Sequence, residues 1–503
     1  MAAETTRCHS MPASSFYKLS MELLIFIFHQ LRDIDSRALA NVRQLSKRFE
    51  AIVTPICFES IYLNERIIAP ETEICFPRVI QSLCSFTRHV EVNSDLDPVA
   101  TRRLLDRLQR LSSLRWCYVR THCSGNFTMP CNILGLKHVH NNIRLYVEDL
   151  PLHGFNGDSH ALNFQGIPTS SLVSLKMFAS IPSLTSCLGS LKRLLLESRS
   201  IETFHHDDHG QGTQFSFKGN ERLPAFRELS LRSYDWNHSI SEVEKHWDFS
   251  RLRRLILVDV PLFSFLNSVP FTHLHQLHTL HCEDFSTHLP DQRQETTRIL
   301  YKLALQIRAL HTFKVTCHTT LFPVSGILVH ADSLRILRFR DYVGFGDEIR
   351  RCPTMQAEDL SLLSRKLRYL HTIELDMDVD LCEPALFIRA LCKFPQLDTL
   401  VLHTQTVLQT LEENQGSADP DYDASMKIFS ALMSGKQGKL WRSITINVGG
   451  WKPVMVRRIS ESWQQQNRRG FFAERCFVLE KDTDNVEVEV REKMGVDNSP
   501  VCR

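Results

Sequence analysis

The sequence predicts an α/β chain of two parts. Three short helices stand at the N-terminus, and beyond them lies a long irregular solenoid whose strands sit side by side in a curved parallel sheet. Two observations carry this. Residues 16–58 place apolar side chains at helical spacing, broken by residues that start and stop helices. From residue 111 a hexamer, apolar-x-x-apolar-x-apolar, recurs as far as residue 446. Composition agrees: 43% of the 503 residues are hydrophobic and 23% are charged. That is enough apolar side chain for a sizeable core, and too much for a disordered chain.

The helices come first. Residues 1–15 are small and polar and read as a flexible tail. Leu23, Leu24, Ile27, Phe28 and Leu31 then form one broad apolar helix face. Ser20 stands where an N-cap belongs, and Glu22 lies in the first turn, where the helix dipole favours a carboxylate. Asp33 and Asp35 punctuate the chain ahead of a second helix with Leu39, Val42 and Leu45 inward. Ser46 caps a third, with Phe49, Ile52 and Val53 inward, and Pro55 is expected to end it. So small a unit is marginal alone and is expected to lean on the rest of the chain.

These residues also fall in a known order. Leu19, Glu22, Leu23, Leu24, Ile27, Phe28 and Leu31 match Leu-Pro-x-Glu-(Leu/Ile)-(Leu/Ile)-x-x-Ile-(Phe/Leu)-x-x-Leu. Asp35, Leu39, Val42 and Ser46-Lys47-Arg48-Phe49 match its continuation. Residues 16–63 therefore resemble an F-box, and residues 55–63 look like the strand that leaves many fungal-type members. Ser20 departs from the family, which prefers Pro there, but Ser caps a helix well. The resemblance implies docking on the Skp adaptor of a cullin-based, SCF-type ubiquitin ligase. The residues it assigns to that contact are Leu19, Ser20, Leu23, Leu24, Ile27, Phe28, Leu31, Leu39, Val42 and Phe49.

The hexamers begin with Leu111/Leu114/Trp116, Leu172/Leu175/Met177, Leu191/Leu194/Leu196, Phe226/Leu229/Leu231, Leu252/Leu255/Leu257 and Leu277/Leu280/Cys282. Then come Leu310/Phe313/Val315, Leu334/Leu337/Phe339, Leu370/Ile373/Leu375, Leu397/Leu400/Leu402 and Trp441/Ile444/Ile446. From Leu175 onward the central residues are 19, 35, 26, 25, 33, 24, 36, 27 and 44 apart. Most gaps are near the ~20–29 residues of one leucine-rich repeat, and the longer ones imply insertions. Alternation puts the last two apolar residues of each hexamer on one buried strand face, and stacked units bury a continuous core. Residues 295–310 and 356–370 read as returning helices. The pattern resembles an irregular leucine-rich-repeat array over residues 64–480. Residues 481–503 supply a capping strand at 485–491 and a tail. The family's loop Asn or Cys is missing: Arg199, Tyr234, Val260, Phe285 and Gln405 stand in its place. The array is therefore expected to be loosely wound. Residues 205–212 and 411–425 read as exposed loops.

Several function classes lose support. The net charge of +2 gives no global pull toward nucleic acid or anionic membrane. The longest strongly apolar run, residues 23–28, is far short of the ~20 residues that span a bilayer, and no secretory signal is read. Fifteen scattered cysteines without a CxxC pair suit reduced thiols, hence cytoplasm or nucleus. Gly435-Lys436-Gln437-Gly438-Lys439 lacks phosphate-loop spacing, and Gly157-Asp158-Ser159-His160 lacks the strand that a hydrolase needs before it. Two groups carry side chains that suit a metal: His205, His206, Asp207, Asp208 and His209, and His273, His275, His278, His281 and Cys282. The first reads better as a solvated loop, and strand alternation splits the second. No enzyme, cofactor or metal is expected.

Residues between the two strand apolars should face outward: Lys176, Leu195, Ser230, Ile256, His281, Lys314, Arg338, Glu374, Val401 and Thr445. His281, Lys314 and Arg338, with Arg340 beside them, form a basic stripe able to receive an acidic or phosphorylated protein segment. The reading that emerges is a substrate-receptor subunit of an SCF-type ligase. A non-ligase scaffold bound to the Skp adaptor stays open, as does, more distantly, a hydrolase with a non-obvious site.

Overall fold

The computed structural model describes residues 16, 19–119, 130, 134, 143–151, 166–178, 188–207, 212–283, 292–342, 353–378, 381–405, 420–449, 475–480 and 489–492. Two compact units divide the chain: Met1–Leu150 with Asn156–Leu175, and Pro151–Phe155 with Lys176–Arg503. The expected tail at 1–15, the Gly157–His160 motif, the long insertion after residue 342 and residues 411–419 lie outside the described residues.

In the first unit α1 (Met21–Ile34), α2 (Ser36–Val42) and α3 (Lys47–Phe58) start where their caps predict. Ser20 accepts from Leu23 N, Asp35 from Arg37 N and Ala38 N, and Ser46 from Phe49 N. Leu24, Phe28, Leu39, Phe49, Ile52, Val53 and Ile56 form the core. The Phe28 and Phe49 rings meet edge to face at 5.5 Å. Two expectations are corrected. Leu45 lies beyond the end of α2 and is 68% exposed. Pro55 does not end α3: it removes one helix donor near the end, and the next residue, Ile56, still buries its side chain in the core.

The helices lean on the next stretch of chain, as their size requires. Strands β1 (Ser60–Tyr62), β2 (His89–Asn93), β3 (Ser113–Cys117) and β4 (Arg144–Pro151) pair in parallel, each with the next. Helix Pro77–Phe86 packs Ile80, Leu83 and Cys84 near Phe58, Ile61 and Ile67. The repeat rhythm thus begins before residue 111. Thr87/Val90/Val92 is a hexamer with a polar first residue, and its buried Thr87 hydroxyl donates to the Phe58 carbonyl at 2.9 Å.

Next comes β5 (Leu172–Phe178). The second unit then runs β6 (Thr203–Asp207), β7 (Glu228–Arg232), β8 (Arg254–Val258), β9 (Thr279–Glu283), β10 (Thr312–Cys317), β11 (Ile336–Asp341), β12 (Thr372–Met377), β13 (Thr399–Gln405) and β14 (Ser443–Gly449). All are parallel and paired in sequence order. Phe204, Leu229, Leu255, Leu280, Phe313, Leu337, Ile373, Leu400 and Ile444 share one register row and are fully buried. Helices Arg293–Gln306, Ala357–Lys366, Pro384–Cys392 and Pro420–Gly435 return between strands. β15 (Arg475–Glu480) and β16 (Glu489–Glu492) close the sheet antiparallel. The second is the described part of the expected capping strand, and the first has no counterpart among the expected elements.

One hexamer is corrected. Leu191, Leu194 and Leu196 lie in the helix Leu188–Glu197, because the i, i+3 step suits a helix as well as a repeat. The strand of that repeat is β6, with Ile201/Phe204/His206 as its hexamer, so residues 205–207 are strand and not loop. Placing Phe204 at the centre turns the spacings of 19 and 35 into 29 and 25. Likewise residues 420–425 belong to the helix Pro420–Gly435.

Main-chain bonds tie the repeats in place of the family's asparagine. At the turn leading into each strand, one carbonyl accepts the two amide N–H groups that open the next strand. Glu202 O receives Arg227 and Glu228; Arg227 O receives Arg253 and Arg254; Arg253 O receives His278 and Thr279. The pattern continues through His278, His311, Arg335, His371 and Asp398, at 2.7–3.2 Å throughout. This backbone ladder couples the repeats without an asparagine.

Candidate functional site

Helix α1 carries two apolar stripes. Leu24 and Phe28 point into the core, Phe28 being 1% exposed. A second stripe runs beside them at helical spacing: Leu23, Phe26, Ile27 and Ile34. Leu23, Phe26 and Ile34 are exposed, Phe26 at 65%, and Ile27 is half-buried. Met21 and Ile25 add further exposed apolar surface to the helix. Its position is held from below, where Arg48 donates to the Leu19 carbonyl at 2.7 Å and Arg32 pairs with Glu59 at 2.7 Å.

This sorts the ten residues that the resemblance assigned to adaptor contact. Leu24, Phe28, Leu39 and Phe49 are core and cannot reach a partner. Leu19, Ile27, Leu31 and Val42 are partly buried against that core. Ser20 caps α1, and Leu23 is open. Phe26 was missed because its neighbour Phe28 fits the family pattern. Its own signal is the 3-residue step from Leu23 and the 8-residue step to Ile34.

On the strand face of the second unit, the outward series is in register from His205 to Thr445, with His205 in the place expected for Leu195. His281, Lys314 and Arg338 are therefore neighbours. They do not form a free basic stripe. Arg338 is 5% exposed and pairs with Glu283 and, at 3.2 Å, with Glu374. His281 also meets Glu283, and His403 Nε2 lies 2.9 Å from Glu374. Arg340 is buried too, donating to Asp376 at 2.9 Å. Lys314 is half-buried and makes no ion pair among the described residues. The expectation of outward cations awaiting an acidic segment is corrected: each guanidinium is held by carboxylates one or two strands away.

Electrostatics lock this network. Burial alone would push the Glu283 carboxyl up, but Arg338 and the His281 hydrogen bond outweigh it and bring it down to about 2. Burial likewise opposes ionisation of Glu374, yet Arg338 and His403 hold it well below the usual range. Arg338 is pushed up by the same two glutamates against its own burial. Burial, then Arg340, holds His403 down despite its Glu374 partner.

The metal candidates separate. His205 pairs with Glu228 at 2.7 Å, while His206 is buried and brought down to about 4 by that burial. His275 bonds the Thr272 carbonyl. Among the described residues no group of three or more His, Cys, Asp or Glu is placed to hold a metal ion. No described helix is long and apolar enough to cross a membrane.

No protein-family model matches the chain, and no curated protein matches it. Solved structures do. One is the leucine-rich repeat-containing protein LegL7 from Legionella pneumophila, at 14% identity and a TM-score of 0.26, over 76% of this chain and 99% of that one. Another is the TLR13–ssRNA13 complex, at 12% identity and a TM-score of 0.28, over 65% of this chain and 44% of that one.

Proposed function

We propose that the chain is a substrate-receptor subunit of an SCF-type ubiquitin ligase. The observation that carries this reading is the second apolar stripe of α1, open on a helical unit whose sequence follows the F-box pattern. Leu23, Phe26, Ile27 and Ile34 would dock on the Skp adaptor, which joins the receptor to the cullin. Large apolar side chains each contribute roughly 1.5–3 kcal/mol when buried, enough for a specific contact from three or four of them. The repeat array would hold a protein substrate. Ubiquitin transfer would occur on other subunits, so this chain contributes proximity and needs no catalytic residue. The cytoplasm or nucleus suits such a subunit.

The test is co-purification of the Skp adaptor with the full chain and with a Leu23→Asp, Phe26→Asp variant. Loss of adaptor from the variant, with an unchanged melting temperature, is the expected result. Equal recovery would overturn the F-box reading. Adaptor recovered without any cullin-dependent ubiquitin transfer to captured protein would favour the scaffold alternative.

A further inference from the structure

Among the described residues one exposed cation, Arg335, and three imidazoles lie along the turns that lead into the strands of the second unit, with burial, then His311 and Arg253, holding His278 below its ordinary range. His278, His311, Arg335 and His371 each stand one residue before Thr279, Thr312, Ile336 and Thr372, which pair in register. They form one row, and the His278 and His311 rings are 5.1 Å apart. Strands ~4.8 Å apart make such a row about 15 Å long. It ends in a cavity of about 710 Å³ whose lining includes Arg365, Arg368, His371, Lys393, Gln396 and Tyr369. Arg368 and Lys393 are exposed and make no ion pair among the described residues. Among the described residues no carboxylate lines the cavity. Asp398, one strand along, is taken by Lys439 at 2.7 Å and Arg442 at 3.8 Å. Asp332 is exposed on the turn before β11 and does not line the cavity.

We propose that this row and cavity bind an anionic protein segment, one carrying phosphorylated or acidic side chains. The inference rests on reading the array as a receptor for proteins, and it moves the recognition surface from the strand face to the turns. Three arguments favour a protein segment. The cavity is open, with Arg365, Arg368, Lys393, Gln396 and Gln437 exposed, whereas small-molecule sites enclose roughly 70–90% of their ligand. The row, about 15 Å long, suits an extended chain laid across successive turns. Among the described lining residues Tyr369 is the one Phe, Tyr or Trp, with His371 beside it, too few for the stacking platforms on which single-stranded nucleic acid binds. Arg365 and Arg368 can each grip two oxygens of a phosphate, and Lys393 adds a point charge.

The experiment is fluorescence anisotropy with the purified full chain. The probes are a serine peptide without acidic residues, its phosphoserine form, a glutamate-rich form and a single-stranded RNA. The phosphoserine and glutamate forms should bind, more weakly as salt rises, and the neutral form should not. Arg368→Glu with Lys393→Glu should weaken binding at least about tenfold. Arg368→Gln with Lys393→Gln should weaken it less. Both sites are exposed, so melting temperature should hold, and adaptor co-purification from the same preparations should be unchanged. Equal affinity of wild type and both variants would overturn the proposal, as would equal affinity for neutral and phosphorylated peptides or preference for RNA. Displacement of the peptide by stoichiometric inorganic phosphate would overturn it too, assigning the site to free phosphate. Loss of peptide binding alone leaves the adaptor reading standing, and loss of adaptor alone leaves this one.

Discussion

Helix α1 and strands β9–β13 invert the usual rule in opposite directions. The helix leaves Leu23, Phe26 and Ile34 in solvent, and the strands bury Arg338, Arg340, Asp376 and His403. The difference teaches where to look for partners. Among the described residues the buried guanidiniums of Arg338 and Arg340 find their counter-charges inside the chain, so those groups are spent on structure. Among the described residues the apolar stripe of α1 stays exposed, and a partner that covers it removes apolar surface from water.

Four measurements can break or sharpen this contrast. The largest effect belongs to Glu374→Ala, which strips a partner from both Arg338 and His403. Leaving a buried guanidinium short of charge should cost about 3–5 kcal/mol in urea midpoints. A loss under ~1 kcal/mol would mean the network is solvated and the face available. Leu337→Ala, on the opposite side of the same strand, should cost about 2–5 kcal/mol through its cavity.

The third is a pH effect. His206 and His330 are buried, and that burial brings each down to about 4, against ~6.5 when unfolded. Between those values the unfolded chain holds the extra proton, so stability is full above ~6.5 and falls as pH drops toward 4. The fall should approach roughly 3 kcal/mol per histidine. Glu283, lowered to about 2, contributes above ~4.3 and is lost only as pH falls further toward 2. The α1–α3 core contains no histidine. Hydrogen exchange at pH 5 should therefore loosen residues 203–341 before residues 21–58; simultaneous loosening would refute the split. The smallest effect is Phe26→Ser, within ~0.5 kcal/mol in stability, against about 3–5 for Phe28→Ala two residues on. Similar midpoints for the two would reverse the assigned faces of α1.

Much of the fold was legible because its signals are local. Ser20, Asp35 and Ser46 announce their helices within three residues, and ten of the eleven hexamers contribute to strands at their expected phase. What escaped was either polar or remote. Thr87 and His206 fill apolar positions of the hexamer, so their repeats were invisible to a hydrophobic count. Arg338 reads as part of a basic stripe with Glu283 as a possible neutralising neighbour, and the sequence does not say which side chains meet across 55 residues. The site on α1 was half legible: the F-box-like pattern takes in Leu23 and Ile27 of the open stripe along with the core residues, and it is silent on Phe26 and Ile34.

The carbonyl ladder between repeats has a consequence for how such a chain can change. It is written in main-chain atoms alone, so replacing any side chain along those turns leaves it standing. Proline is the exception, since it brings no N–H. Proline at His311, for instance, would delete one rung onto His278 O and loosen the seam between two repeats. Exposed positions of the ladder, such as His278 and Arg335, can vary for solubility or recognition, whereas buried Asp398 is also held by its side chain. A protein stitched this way can rewrite its surface letter by letter and still stack in the same register.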